Sequence, residues 1–352
     1  MFLRKKLKTS PKVAAKPDKP DLAEKPDLLD GLPDDLVVYI LSKLSSSASC
    51  PSDFINVLLT CKRLNHLGLH PLVLSKAGTN TLAIRAKNWS ESAHRFLKLC
   101  VNAGNTDSAY ALGMIRFYCL QNQGSGTSLM AKAAIKSHAP ALYSLSVIQF
   151  NGSGASRNEK DLRAGVALCA RAAFLGHIDA VRELGHCLQD GYGVRQNIVK
   201  GRRLLVEANA REFMQSSPLP LTRTPHPKRL HCGSTTSGCP LLSDFGYNVG
   251  EPEMHPVNRF LKEWFESGKG ELTPGLRLCS HRGCGRPETR SHEFRRCSVC
   301  GTVNYCSRGC QALDWKLRHK KECVPMDRWI IEDDGDGVEG MEIVGAGNVG
   351  PV

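Results

Sequence analysis

Residues 279–323 have the sequence CSHRGCGRPETRSHEFRRCSVCGTVNYCSRGCQALDWKLRHKKEC. Its seven cysteines and one of its three histidines fall into four close pairs: Cys279 and Cys284, Cys297 and Cys300, Cys306 and Cys310, and His319 and Cys323. Thiolates and imidazoles in sets of four build closed tetrahedral sites for structural zinc, whereas a catalytic zinc keeps one position open for water. The segment therefore predicts two structural Zn²⁺ ions and no hydrolytic centre.

Metal is expected to decide whether this segment folds. Apart from its ligands it offers few apolar side chains, and so short a segment cannot fold on buried apolar surface alone. Structural zinc contributes about 10–16 kcal/mol per site in small finger peptides, which exceeds what such a core supplies. A disulfide cluster is the alternative. The odd number of cysteines, the histidine paired with a cysteine and the lack of a secretory signal all argue against it.

The motifs Cys297-Ser-Val-Cys300, Asn304-Tyr-Cys-Ser307 and Cys310-Gln-Ala-Leu-Asp-Trp-Lys316 resemble a MYND-type zinc finger. In that family the pairs interleave, so the resemblance implies one site of Cys279, Cys284, Cys306 and Cys310 and a second of Cys297, Cys300, His319 and Cys323. Two features depart from the family: the first pair encloses four residues instead of the usual two, and the gap before His319 is one residue longer. His281 lies three positions before Cys284 and is an alternative to Cys279 as the first ligand.

Residues 28–75 predict two short amphipathic helices. Apolar residues at positions 36, 37, 40, 41 and 44 form one helical stripe, and a second helix carries Phe54, Val57, Leu58, Cys61 and Leu64. The start Leu-Pro-x-x-Leu-x-x-x-Ile-Leu over 32–41 and the end Cys-Lys-Arg-Leu-Asn over 61–65 resemble an F-box, which docks on the Skp-type adaptor of cullin ubiquitin ligases. The resemblance implies adaptor contacts by Leu32, Pro33, Leu36, Ile40 and Leu41. The alternative is that these helices only pack against the repeats that follow.

Residues 76–213 contain an internal repeat. Ser108, Leu112 and Gly113 recur as Ala141, Leu145 and Ser146 and again as Ala180, Leu184 and Gly185, at steps of 33 and 39 residues. This period is typical of stacked helical pairs. The glycines of the equivalent segments 151–154 and 190–193 suit turns that need positive φ. The pattern resembles Sel-like relatives of the tetratricopeptide repeat, whose concave surface holds a peptide or protein. A spacer between the two ends of the chain is the alternative.

The other segments complete a mostly α-helical prediction. Residues 214–275 form a linker with a short helix, in which Val257, Phe260, Leu261, Trp264 and Phe265 pack against the finger or the repeats. The finger occupies 276–325. A basic tail over 1–27 and an acidic tail over 326–352 are expected to be disordered. The predicted fold is therefore F-box helices, an α-solenoid of TPR-like repeats and a small two-zinc finger between disordered termini.

The net charge of +13 is concentrated in two places. Residues 1–20 hold seven basic residues and one acidic residue, and residues 276–325 hold eleven and four. Because thiolates around zinc carry negative charge, we expect the finger's basic residues mainly to screen the metal sites, and we do not expect nucleic acid to be a partner. The basic tail is a localisation signal, a weak polyanion contact or a solvated tail.

The compartment is predicted to be reducing. No run of about 18 apolar residues and no signal peptide are found, which indicates a protein of the nucleus, the cytoplasm or both, without membrane contact. The remaining cysteines are then buried small residues or free thiols: Cys50, Cys61, Cys100, Cys119, Cys169, Cys187, Cys232 and Cys239.

The function implied by these resemblances is that of a plant F-box protein with Sel-like repeats and a MYND finger. Such a protein is the substrate-recognition subunit of an SCF-type E3 ubiquitin ligase, which binds the adaptor and cullin core through the F-box and the target through the repeats and finger. The alternative is a transcriptional or chromatin co-regulator scaffold whose finger binds proline-rich peptides. We find no catalytic constellation, and no SET-like segment flanks the finger, so we expect no enzyme.

Overall fold

The computed structural model describes residues 29, 31–154, 160–216, 240–244 and 246–325. The predictions of disordered tails over 1–27 and 326–352 lie outside these residues, as do positions 217–239 of the predicted linker. Within them the chain is mostly α-helical, as predicted, with one small antiparallel pair of strands. None of the described helices combines the length and apolar character needed to cross a membrane.

The first four helices form a small bundle with its own core. They are α1 (Asp34–Ser47), α2 (Pro51–Leu58), α3 (Lys62–Gly68) and α4 (Pro71–Ser75). Their buried side chains form one apolar cluster: Val37, Leu41, Phe54, Leu58, Leu67 and Val73.

The prediction of one second helix through positions 54–64 is wrong, because α2 ends at Leu58 and α3 begins at Lys62. The Cys61 sulfur accepts the Leu64 N–H at 3.4 Å, and the Asn65 amide donates to the Leu58 carbonyl oxygen at 3.0 Å. These side chains satisfy backbone groups at the two helix ends, so the chain turns between α2 and α3.

The repeats follow as helices stacked in sequence. They are α5 (Glu91–Asn102), α6 (Thr106–Met114, continued by a π-helical turn Ile115–Cys119), α7 (Gln123–Ile135), α8 (Ala139–Asn151), α9 (Leu162–Phe174), α10 (Ile178–Asp190) and α11 (Ile198–Ser216). The helices α6, α8 and α10 are the inner helices of the three repeats. Each begins with a side-chain N-cap at the same repeat position: Asn105, His138 and His177. Gly152 and Gly191 end α8 and α10 with φ of 63° and 69°, which confirms the predicted turns.

Small residues at one repeat position let neighbouring helices approach closely. A Cβ placed on Gly185 would lie 3.1 Å from the Gly201 carbonyl oxygen, and one on Gly113 would lie 3.0 Å from the Gly126 carbonyl oxygen. Any larger side chain would push α10 from α11 or α6 from α7. Close packing between helices therefore explains why the register positions 113, 146 and 185 carry glycine or serine.

The F-box-like bundle is attached to the repeats by hydrogen bonds as well as by packing. The Ser45 carbonyl oxygen accepts from the Gly78 N–H at 2.9 Å and from the Thr81 hydroxyl at 2.6 Å. The buried Asn105 side chain, which caps α6, donates to the Ala77 carbonyl oxygen at 2.8 Å. Because these partners are buried, the bundle and the first repeat have a fixed relative orientation.

The finger docks onto the inner helices of the repeats. It contains β1 (Arg295–Arg296), β2 (Asn304–Tyr305), α13 (Arg308–Asp314, continued by a π-helical turn Trp315–His319) and α14 (Lys320–Glu322). The Arg286 guanidinium donates to the Ser144 hydroxyl at 2.8 Å, and the Arg308 N–H donates to the Glu183 carboxylate at 3.0 Å. Ser144 and Glu183 occupy equivalent positions 39 residues apart. The predicted concave surface is therefore partly filled by the chain's own finger.

The short helix of the linker, α12 (Pro256–Glu266), packs against both neighbours. Its predicted apolar residues Val257, Phe260, Leu261 and Trp264 are buried. On the repeat side, the Glu263 carboxylate accepts from the Ala86 N–H at 3.1 Å. On the finger side, a Cβ on Gly285 would lie 2.7 Å from the Asn258 carbonyl oxygen, so a glycine with positive φ is needed there.

A buried ionic cluster joins the last repeat, the linker and the finger. The Arg182 side chain is fully buried and lies 3.2 Å from the Asp244 carboxylate and 2.7 Å from that of Glu212. Lys316 of the finger lies 2.5 Å from the same Glu212, and its ammonium is 4.2 Å from the centre of the Tyr247 ring. Each charge has a partner, which buried charges require.

Replacing Arg182 with alanine is expected to lower the free energy of unfolding by about 3–5 kcal/mol, since Asp244 and Glu212 would lose a buried counterion. Urea unfolding of both proteins measures the difference. Arg202→Ala, which removes an exposed arginine from neighbouring α11, is the control and should change stability by less than about 0.5 kcal/mol. Equal changes in the free energy of unfolding would show that Arg182 does not stabilise the buried carboxylates.

Candidate metal centres and an exposed helical face

The first metal centre is formed by Cys279, Cys284, Cys306 and Cys310, whose sulfur atoms all lie within 4.8 Å of one another. Cys279 and Cys284 lie in a loop that a bridge between Leu278 and Pro287 closes. Cys306 follows β2, and Cys310 lies in the first turn of α13, where the Ser307 hydroxyl accepts the Cys310 N–H at 3.1 Å. The N-cap of α13 thus places two ligands on one turn of chain.

The second centre is formed by Cys297, Cys300, His319 and Cys323, which also lie within 4.8 Å of one another. Cys297 and Cys300 flank the turn between β1 and β2, and the π-helical turn after α13 carries His319 to the same side. Tyr305, which is fully buried, donates its hydroxyl to the Asp314 carboxylate at 2.8 Å and so holds this helix against the strands.

The distances between ligand atoms match tetrahedral zinc. With Zn–S of about 2.3 Å, two sulfurs of a tetrahedron lie about 3.8 Å apart, and a sulfur and an imidazole nitrogen lie about 3.6 Å apart. The structure has sulfur pairs at 3.6 Å in the first centre and at 3.9 Å in the second, and Cys300 Sγ lies 3.5 Å from His319 Nε2. The residues fit two structural zinc ions in the interleaved arrangement, as predicted.

His281 is not a member of either ligand set, so the alternative of His281 in place of Cys279 is wrong. His281 lies beside the first centre and is only 9% exposed. This burial lowers the pKa of its imidazole. Its Nδ1 has no hydrogen-bond partner among the described residues. The ring packs against Gly283 instead, because a Cβ there would lie 2.9 Å from His281 Nε2.

Arg286 links the first centre to the repeats. Its Nη1 lies 3.7 Å from Cys306 Sγ, and its Nη2 donates to the Ser144 hydroxyl. Burial alone lowers the pKa of this guanidinium, but the thiolates of Cys284 and Cys306 outweigh burial and raise the pKa well above its ordinary value. Arg286 therefore screens the thiolate charge, as expected of the finger's basic residues. Sequence analysis did not single it out, because an arginine two residues after a ligand has no motif of its own.

The cysteines of the repeats are structural. Burial raises the pKa of Cys100 and of Cys187 to about 12, and it also raises the pKa of Cys119 and Cys169. These thiols stay protonated and unreactive at neutral pH, as the sequence predicts for buried small residues. Cys232 and Cys239 lie outside the described residues.

The residues predicted to contact an adaptor divide between surface and core. On α1, Leu36 is 48% exposed and Ile40 is 47% exposed. Pro33 is exposed at the start of the helix, while Leu32 packs partly against the bundle core. The structure corrects one residue: Leu41 is 3% exposed in that core, so its side chain packs internally and cannot contact a partner. Tyr39, which is 60% exposed beside Leu36 and Ile40, was missed because it lies off the predicted stripe.

Comparisons with known proteins match two segments of the chain to families and most of its length to two plant proteins. Residues 81–173 match the family described as plant tetratrico peptide repeats, and residues 279–323 match the MYND finger family. F-box protein At1g67340 of Arabidopsis thaliana is 65% identical over 92% of this chain and 87% of its own length. F-box protein At5g50450 of the same plant is 66% identical over 88% and 90%. A Sel1 repeat protein from Oxalobacter formigenes aligns with a TM-score of 0.31 and 22% identity, covering 34% of this chain and 89% of its own.

Metal analysis is expected to find two zinc ions per chain, one for each ligand set. Cys279→Ala should remove one ion, because a tetrahedral site with three ligands binds zinc much more weakly. His281→Ala is the matched control, since this buried ring lies beside the same site, and it should keep both ions. Loss of zinc from His281→Ala but not from Cys279→Ala would contradict the ligand assignment.

Proposed function

Because the chain belongs to the family of plant F-box proteins represented by its two Arabidopsis relatives, we propose that it is a substrate-recognition subunit of an SCF-type (Skp-cullin-F-box) E3 ubiquitin ligase. In this proposal α1–α4 dock on a Skp-type adaptor within the cullin complex, while the repeats and the finger hold the target protein. The chain catalyses no step itself, since its partners transfer ubiquitin. It acts in the nucleus, the cytoplasm or both.

The observation that carries the proposal is an apolar face of α1 that the described residues leave about half exposed. Leu36, Tyr39 and Ile40 are 48%, 60% and 47% exposed. Their spacing of three and four residues places them side by side on the helix. The core of the bundle is complete without them, so folding does not require this face. Contiguous exposed apolar side chains mark interaction surfaces, and here they lie on the helix that resembles an F-box start.

A fixed geometry between the two ends of the molecule also supports the proposal. A substrate receptor has to hold its target at a defined distance from the rest of the ligase. The hydrogen bonds of Ser45 and Asn105 fix the bundle to the first repeat, and Arg286 and Arg308 fix the finger to later repeats. The described parts of the chain therefore form one packed body between the adaptor-facing helix and the finger.

Changing Leu36 and Ile40 together to lysine is expected to weaken binding to a purified plant Skp-type adaptor by about a hundredfold, because two apolar anchors of the interface would be lost. Isothermal titration calorimetry measures the affinity. The melting temperature should stay the same, since both side chains are already half exposed. Leu41→Ala should instead lower stability by about 2–5 kcal/mol, because it leaves a cavity in the core.

Val199→Lys is the matched control, because it changes another exposed apolar side chain, 73% exposed, on a helix far along the chain. It should bind the adaptor like the unchanged protein. If the unchanged protein shows no adaptor binding, the ligase proposal is wrong. The co-regulator alternative, in which the finger binds proline-rich peptides, would then be the remaining hypothesis, with nuclear foci that lack the adaptor as its signature.

A further inference from the structure

A groove separates the finger from the inner face of the repeats, and we call it the composite groove. It has a volume of about 940 Å³. One wall is formed by the N-terminal ends of α8 and α10, the other by the loop around Cys284 and by α13. The segment 249–255, which precedes α12, lines its edge. The groove exists only because the finger docks on the repeats, so neither part forms it alone.

Buried polar atoms without partners line this groove. His281 Nδ1, Arg286 Nε, Asn258 Oδ1 and the Tyr143 hydroxyl make no hydrogen bond to any described residue. The His281 and Arg286 side chains are 9% and 5% exposed. A buried donor or acceptor without a partner is destabilising, and such groups are almost always satisfied in native proteins. Four of them around one cavity suit a ligand that supplies both donors and acceptors.

The available hydrogen-bonding groups favour a peptide backbone over an anion. Both terminal nitrogens of Arg286 are already engaged, by Cys306 and Ser144, so only its Nε remains to donate. A carboxylate or phosphate binds best to the two-pronged fork of an arginine, which is not free here. Burial also lowers the pKa of His177, and that of His255 to about 4, so these rings are neutral. Alternating N–H and C=O groups of an extended peptide match the requirement.

The sides of the groove define the side chains that such a peptide should carry. Glu251 and Glu253 are exposed at its edge and make no ion pair with a described residue. At the opposite wall the Asp179 side chain is 39% exposed and lies 3.3 Å from the Arg182 guanidinium. Half-buried Met254 and Leu313 supply apolar surface between them.

Among the basic residues of the groove, Arg286 faces a thiolate and Arg318 pairs with Asp314 and Glu322, which leaves Arg282 as the exposed one. Exposed acidic groups therefore outnumber exposed basic ones, and the groove attracts a basic side chain flanked by apolar ones and repels a nucleic-acid backbone.

We propose that the composite groove binds an extended peptide segment of a partner protein, with a lysine or arginine against Glu251 and Glu253 and an apolar side chain against Met254 and Leu313. The identification of this segment as the recognition element of a ubiquitination target rests on the proposed function. Peptide binding itself does not, because it involves no residue of the adaptor-facing helix.

The test uses the full-length chain and displayed random linear peptides, followed by fluorescence polarisation of labelled synthetic peptides. Enriched sequences should contain a lysine or arginine beside apolar residues, and replacing that basic residue with alanine should weaken binding about tenfold. Glu251→Lys combined with Glu253→Lys should weaken the basic peptides at least as much. The same variant should bind better when the basic residue of the peptide is changed to glutamate, an effect that general loss of structure cannot produce.

Glu91→Lys combined with Glu271→Lys is the control, since both residues are exposed acidic groups that do not line the groove. It should bind like the unchanged chain. Enriched peptides without a basic residue, an undiminished affinity in the double Glu251 and Glu253 variant, or the absence of any enriched peptide would overturn the proposal. So would a change of oligomeric state in that variant, because the groove would then hold a second copy of the chain.

The two proposals fail separately. Peptide binding without adaptor binding would leave the groove assignment in place and remove the ligase. Adaptor binding without peptide binding would keep the ligase and overturn the groove assignment.

Discussion

Ligation of two metal ions by eight side chains from one 45-residue segment is the constraint on which the rest of the structure depends. The finger is too small to fold by burial alone, so metal has to set its shape. Once folded, it belongs to the main core: Cys279, Phe294 and Tyr305 lie in the same buried cluster as the repeat helices. The metal sites therefore organise an integral layer of the molecule and not an appended module.

The docked finger changes what the repeats can do. Ser144 and Glu183, at equivalent positions of two inner helices, both hydrogen-bond to the finger. The residues just before them differ, because Tyr143 lines the groove whereas Arg182 belongs to the buried ionic cluster. A regular solenoid presents one continuous concave surface. Here part of that surface is internal, and what remains for a partner is shared with the finger and with the segment before α12.

The bundle at the other end shows how the same sequence pattern serves both core and surface. The apolar stripe of α1 is wider than the surface that the other helices of the bundle cover. Val37 and Leu41 pack against α2–α4, whereas Leu36 and Ile40 face solvent. Periodicity predicts the helix and its apolar character, but the buried side depends on where the other helices lie. For the same reason the break between α2 and α3 was missed, because it depends on side-chain caps that periodicity does not detect.

The sequence by itself determined seven of the eight metal ligands, the helical repeats with their glycine turns and the apolar helix at the start, because spacing within a few residues fixes each of these. The family resemblance added how the pairs interleave. Only the tertiary structure decided that Cys279 and not His281 is a ligand, that Leu41 is internal and that Arg286 bridges metal site and repeats. These outcomes depend on contacts between separate elements of the chain, and in the case of Ser144 and Arg286 the two residues are more than a hundred positions apart. No local pattern records such contacts, since packing of the whole chain creates them.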